Sequence, residues 1–497
     1  MSLTKVTYSM IEGAVANVLD FGADPTGAAS STTAIQTAVD SLTNGGVVYF
    51  PQGTYLLNVT NGVTLDNNIA LVGDGPATII KFGAQDSLTA VSKTNVEIRN
   101  IKFKNENYRV YFNKCTNVQL IDCHGDGLIT AGNITQQGFW FAGCNNVLIQ
   151  NPTFVNYRDC IYLSADDWPT GTNPCGRVSV VGGSIIQTNH GTGMDYPTGV
   201  YGFQVQYLYV DGVYFQDIKP SAGSTGTGYG VYEGDGTLGN LTLVQVSNCI
   251  FKNVDAATTA YVGILTSVAR DTVVDTCYFQ NVSTGFWYGS QNTKINNCVF
   301  DNSQCISAPT IGVPQYDSFV ATNNYFFNNS AGTGLIVQND NTSGNLGNAL
   351  IANNYFKNID KGALWLRFVD FAAVTDNYFE DCNVSGDAND YFNGGINFFG
   401  CTAGLVDGNT IIRGTLGNNG YGITSAATTH AINITPNNRI IGSASVLRPL
   451  TAPPTIGIWS PGQYIHNWSP AAGGTPGWVC VTYGTPGTWK AMANLVV

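Results

Sequence analysis

Short runs of alternating apolar and polar residues recur along the chain, many of them closing on Asn-x-x-Phe. Clear copies are VEIRNIKF at 96–103, VLIQNPTF at 147–154, VQVSNCIF at 244–251, KINNCVF at 294–300 and LIANNYF at 350–356. With looser copies there are about twelve units, spaced by roughly 20–36 residues, which marks a repeat architecture. A period of two predicts strands. No helix-period segment separates the copies. The expected fold is therefore all-β, a right-handed parallel β-helix of about twelve coils. Phe103, Phe154, Phe215, Phe251, Phe279, Phe300, Phe326, Phe356 and Phe379 are predicted to form one inward column. The Asn or Asp three residues earlier (Asn151, Asn248, Asn297, Asn353, Asp376) is predicted at a corner, where left-handed backbone suits these residues.

A second strand follows each phrase. Aligned copies give Phe139-Trp140, Ile161-Tyr162, Val200-Tyr201, Val231-Tyr232, Phe286-Trp287, Ile306-Ser307 and Leu364-Trp365. The first member is apolar throughout and is expected to point inward. The second then points outward, which predicts an outer column of Trp140, Tyr162, Tyr201, Tyr232, Trp287 and Trp365. Stacked aromatics on a solvent face call for a partner. Sugar rings, with flat C–H faces, suit such a column; long loops or a neighbouring subunit covering it are the alternative.

The two ends need covers, because open strand edges aggregate. TTAIQTAVDSL at 32–42 places Ile35, Ala38, Val39 and Leu42 at helical spacing, with Ser31 as N-cap, and predicts a short N-terminal capping helix. Strands are expected at 47–50 and 54–57. Arg448–Pro454 reads as a linker, and 455–497 as a small C-terminal β module with a hairpin in GWVCVTYGTPGTWKAM. The expected organisation is a lead-in or attachment segment at 1–17, the β-helix with its cap at 18–448, and the module at 455–497.

Composition agrees with β-structure. Charged residues make up 11% and the chain holds 58 glycines. Net charge is −12 with no basic run, which argues against nucleic acid as a partner. No apolar run reaches membrane-spanning length. The 12 cysteines show no CxxC or zinc spacing, so no metal site and no cofactor are expected. Cys249, Cys277 and Cys298 recur at one point of the repeat and read as small buried hydrophobes.

VLDFGADPTGAASSTTAIQTAVDSLTNGGVVYFPQGTYLL at 18–57 resembles the opening motif of the pectate-lyase-like β-helix superfamily: Asp20-Phe-Gly-Ala-Asp24, the helix, Phe50-Pro51 and Gly53-Thr-Tyr55. TKVTYSMIEGA at 4–14 and GWVCVTYGTPGTWK near the end resemble segments of phage tailspikes. The resemblance implies a homotrimer on a virion tail or baseplate, attached through its N-terminus. Such a protein is made in the host cytoplasm and acts outside the cell as an endo-depolymerase of bacterial polysaccharide.

Glycoside hydrolysis needs two carboxylates across the scissile bond. Polygalacturonases of the superfamily carry Asp-Asp-Cys-Ile, where this chain reads Arg158-Asp159-Cys160-Ile161, and Asn189-His190-Gly191 matches their Gly-His-Gly. Asp159 and His190 are carried over. Arg158 replaces the first aspartate, and is expected to lower the Asp159 pKa and to contact substrate. Asp166 and Asp167 form a loop pair able to share a proton, and Asp195 is a similar loop acid. Strict alternation after Tyr232 points Glu233 inward, an environment that raises a carboxyl pKa as a general acid requires. Arg367 is expected to read acidic sugars or to pair with Asp370. Three readings stay open: a hydrolase of capsule, O-antigen or exopolysaccharide; a polysaccharide lyase; and a non-enzymatic adhesion fibre.

Overall fold

The computed structural model describes residues 15–494 apart from 59–61, 84–87, 106–109, 128–136, 168–170, 188–195, 221–223, 225, 235–242, 255–260, 267–268, 308–317, 331, 339–345, 383–393, 413–420, 426–430, 436, 442–451, 456–460, 468–469 and 485. Residues 1–14 of the lead-in expected at 1–17, and most of the linker, lie outside these residues; Val15–Asn17 belong instead to the first sheet, where they pair with Val47–Tyr49. Three parallel sheets of 16, 16 and 14 strands carry nearly all the secondary structure. Each strand pairs with its counterparts one coil before and after, which is the parallel β-helix expected. The sheets hold more coils than the twelve counted from the phrase, because the opening coils lack Asn-x-x-Phe. Two compact units divide at Arg270/Asp271.

In residues 15–270 the first sheet aligns Val96, Val118, Val147, Val178, Leu208 and Val244 in one inward row. In the second sheet the register is Phe103–Gly125–Phe154–Ile185–Phe215–Phe251. The phenylalanine column is therefore real but interrupted by Gly125 and Ile185. Glycines of the third sheet make room for it: a Cβ on Gly199 would lie 2.8 Å from the Phe215 ring, and one on Gly230 2.6 Å from the Phe251 ring. Cys160 occupies this glycine row one coil from Gly199, where the second sheet carries Ile185 instead of Phe.

The helix spans Thr32–Asp40 and buries Ile35, Ala38 and Val39. Its Gln36 side chain bonds the Thr64 backbone in both directions, at 2.8 and 3.1 Å, fixing it on the first coil. Ser31 occupies the N-cap position but its side chain makes no cap hydrogen bond. Its hydroxyl is held by Asp24, accepting from the Asp24 N–H at 2.9 Å. The expected strands appear as Gly46–Phe50 and Gly53–Leu57.

In residues 271–494 the column runs without interruption through Phe279, Phe300, Phe326, Phe356 and Phe379, with ring centroids 4.5–4.8 Å apart. Each such pair contributes about 0.5–1.5 kcal/mol beyond burial. Asn297, Asn353 and Asp376 take φ of 55–58°, as Asn151 and Asn248 do in the first unit with 49° and 55°. All five corner assignments hold. All 12 cysteines are free thiols. A second row follows the corners: Asn324, Asn354, Asn377, Asn409 and Asn438 link side chain to side chain at 2.9–3.0 Å. The C-terminal hairpin of Gly477–Thr482 with Thr488–Ala491 is joined by Tyr464–His466 into an antiparallel three-stranded sheet.

Candidate functional site

The third sheet of the first unit places Tyr111, Trp140, Tyr162, Tyr201 and Tyr232 in strict register, one per coil. Phe139, Ile161, Val200 and Val231 beside them are fully buried, so the aromatic row faces outward as alternation requires. Ring centroids lie 4.9, 5.4, 5.0 and 4.9 Å apart along it, mostly edge to face. The two central rings are less open than expected: Trp140 and Tyr162 are each 7% exposed. They pack on one another with Tyr111, Tyr201 and Phe203 around them, and Trp140 Nε1 donates to Ser164 Oγ at 2.8 Å. Tyr111, Tyr201 and Tyr232 remain half-buried and present the accessible edges of the row. Tyr111 went unnoticed in the sequence, although VYF at 110–112 extends the same pairing by one coil.

A second outer row runs three residues upstream: Gln137, Asp159, Thr198 and Tyr229. Tyr229 touches Tyr232 with centroids 4.7 Å apart, so the two rows share one face. Asp159 is 2% exposed, and Arg158 donates to its Oδ2 through Nε at 3.0 Å and Nη2 at 2.5 Å. The sequence expectation was a lowered pKa. Instead, burial raises the Asp159 pKa, and the adjacent guanidinium only offsets part of that. Removing a carboxylate from water costs more than one half-solvated cation returns.

Glu233 lies in the row Leu163–Gly202–Glu233–Thr266, and is 0% exposed. It points inward, with the strand running through it to its end, as alternation predicted. Its Oε2 accepts from the Ala269 N–H at 3.2 Å. This puts it on the opposite side of the sheet from Tyr232 and the Asp159 row. The two acids do not flank a common bond.

Asp166 and Asp167 lie beyond the other end of Asp159–Ser164. Five strand steps separate Asp159 from Ser164 by about 16 Å. A glycosidase pair sits roughly 5–9.5 Å apart, so Asp159 and Asp166 are not one pair. The Asp166 carboxylate accepts from the Asn173 side chain at 2.8 Å and backbone at 3.0 Å, and lies 3.7 Å from Lys114 Nζ. Asp167 pairs with Lys114 and accepts from Asn113 Nδ2 at 3.1 Å. Asn173 chiefly lowers the Asp166 pKa, and Lys114 that of Asp167. Two depressed carboxylates do not share a proton, which corrects the expectation for this pair. His190 and Asp195 lie outside the described residues.

In the second unit, Trp287, Ile306, Ile336 and Trp365 align on the outer row. Ile306 therefore takes the outward place, not the inward one expected, because Cys305 pairs with Phe286 and is fully buried. Trp287 is 36% exposed. Among the described residues no group of His, Cys, Asp and Glu is arranged to hold a metal ion, and no helix is long and apolar enough to cross a membrane.

Several solved structures are similar. The tailspike protein of E. coli bacteriophage HK620, in complex with a hexasaccharide, is 11% identical with TM-score 0.47, the alignment covering 86% of this chain and 77% of that one. The mannuronan C-5 epimerase A-module of Azotobacter vinelandii is 13% identical with TM-score 0.32, covering 87% and 97%. PfbA, a surface adhesin of Streptococcus pneumoniae, is 17% identical with TM-score 0.36, covering 97% and 100%. No curated protein matches the sequence. Residues 15–92, the opening coils with their capping helix, match the family described as rhamnogalacturonase A/epimerase, pectate lyase-like.

Proposed function

We propose that this protein binds a bacterial surface polysaccharide across the aromatic rows of its first unit and cleaves it internally by glycosidic hydrolysis, as a phage tailspike does. The observation that carries this reading is the outer face itself. Five aromatic residues on consecutive coils stand in register beside a carboxyl group whose pKa burial raises. Aromatic edges spaced by one coil offer repeating apolar contacts to a repeating glycan, and a neutral carboxyl is the form that protonates a leaving glycosidic oxygen. Asp159 takes the role of general acid, with Arg158 positioning its carboxyl; of the candidates for the second carboxylate that hydrolysis requires, Asp195 lies outside the described residues. Tyr201 and Tyr232, with Tyr111, hold the sugar rings. Glu233 and the Asp166–Asp167 pair serve the scaffold: the first faces the core, and the second ties the loop after the strand to Lys114 and Asn113. A homotrimer attached to a phage tail, acting outside the host cell, completes the proposal, supported by the resemblance of the chain's two ends to tailspike segments.

The test is incubation of the purified protein with bacterial capsular, O-antigen and exopolysaccharides, read by size-exclusion chromatography and reducing-end assay. Conversion of one glycan to short oligomers without ultraviolet-absorbing unsaturated ends supports hydrolysis. Unsaturated ends would replace hydrolysis by β-elimination, and retention without shortening would reduce the protein to an adhesin.

A further inference from the structure

We propose that Arg367 forms an anion subsite on the outer face of the second unit, built to take a carboxylate, sulfate or phosphate ester carried by a glycan. The inference rests on the polysaccharide reading and names a chemical feature of the ligand. Arg367 stands two residues after the outward Trp365, on the strand Leu364–Arg367. Its guanidinium carbon lies 5.8 Å from the Trp365 ring, 4.9 Å from Phe368 and 5.4 Å from Phe399. Stacking on rings occupies the faces of a guanidinium and leaves its in-plane N–H groups to donate. Those groups meet no carboxylate among the described residues. The expected pairing with Asp370 does not form, and Nε is buried without an acceptor among those residues. Lys93, Lys102, Lys114, Arg158 and Lys357, by contrast, sit in ion pairs.

The rings are held in place by backbone that is not otherwise favoured. Phe368 takes φ 55°, a left-handed conformation that a bulky residue adopts only where its surroundings enforce it. Its N–H donates to Phe399 O at 2.9 Å, and its ring meets Phe399 edge-on at 5.5 Å. Gly400 leaves the space: a Cβ there would come within 2.6 Å of the Phe368 ring. Gln338 pairs with Arg367 in the neighbouring strand and adds an amide on the same row. A planar cation fixed on three rings, with no carboxylate partner among the described residues, is preorganised for the two oxygens of an oxyanion.

The experiment is calorimetric titration of the full chain with a uronate oligosaccharide, its carboxyl-reduced neutral counterpart, and a sulfated and a phosphorylated oligosaccharide of equal length. The wild-type protein is expected to prefer the charged ligands, more so at low salt, and their ranking assigns the oxyanion. Arg367→Gln is expected to weaken charged ligands at least tenfold and leave the neutral one unchanged. Arg367→Lys, which keeps charge and stem but loses the fork, should retain an intermediate affinity and serves if the Gln variant does not fold. Equal binding of charged and neutral ligands by wild type, or wild-type affinity in Arg367→Gln, overturns the subsite and leaves the polysaccharide reading standing. Binding of none of the four, with no glycan of the wider panel retained, overturns both.

Discussion

Replacing Asn354 by Ala should cost more than its size suggests, because the residue serves two neighbouring coils. Its Oδ1 accepts from the Asn324 backbone N–H and from Asn324 Nδ2, both at 2.9 Å. Its Nδ2 donates to Ala321 O at 2.9 Å and Ala352 O at 3.1 Å, and its N–H bonds Asn377 Oδ1 at 2.9 Å. Truncation leaves the buried Asn324 N–H with no acceptor, and takes one acceptor from its side chain, which still donates to Ile295 O at 2.9 Å. Two buried donors deprived of a partner cost about 1–3 kcal/mol each, so the loss should be about 2–6 kcal/mol. Asn354→Cys should lose less, since cysteine fills the same place natively at Cys298, whose Sγ accepts from Cys277 N–H at 3.5 Å. A long repeat array need not unfold in one step, so unfolding rates at fixed denaturant are the suitable measure, with hydrogen exchange at the Asn324 amide. An Ala variant that unfolds within threefold of wild type and keeps Asn324 protected would refute the reasoning.

Asp159→Asn should lower the rate of polysaccharide cleavage by roughly 10²–10⁴-fold while the variant still folds; unchanged cleavage would leave Asp159 as a structural ion-pair member. Because burial raises the folded pKa of Asp159, its contribution to stability is complete below the ordinary aspartate value and declines as pH rises through the raised one. Asp159→Asn should flatten that part of a stability-versus-pH curve. Asp24 runs the other way: hydrogen bonds from Ala29, Thr26 and Ala28 hold its pKa at about 2. The stability it gives is present above the ordinary aspartate value and is lost as pH falls toward 2. Asp24→Ala should abolish that acid-side loss and speed hydrogen exchange in 26–29. Gly230→Ala would bring a Cβ within 2.6 Å of Gly263 O and the Phe251 ring, and should cost about 1–3 kcal/mol by denaturant unfolding; a neutral variant would show the packing of this strand on Phe251 to be looser than its geometry.

Alternation and spacing alone determined that this chain coils into parallel strands. They set the inward Phe column, the left-handed corners at Asn151, Asn248, Asn297, Asn353 and Asp376, and the inward aim of Glu233. These follow from a period of two and from residue-level backbone preferences, which are local and therefore written in the sequence. The outer row Trp140–Tyr162–Tyr201–Tyr232 was legible for the same reason, because parallel pairing repeats one register from coil to coil. Its exposure was not: how far Trp140 and Tyr162 are covered depends on rings from adjacent coils and on Phe203. Ile306 escaped because a buried Cys305 is as acceptable inside as an isoleucine, so composition could not choose the register. The asparagine row from Asn324 to Asn438 was visible only in part, as an Asn before Tyr-Phe at Asn324, Asn354 and Asn377, and its meaning comes from bonds between coils. Tertiary structure alone decided the chemistry of the acids. Whether Asp159 is raised and Asp166 and Asp167 depressed rests on water excluded and donors supplied by distant residues. The separation of Asp159 from Glu233 is likewise a matter of which side of a sheet each side chain leaves.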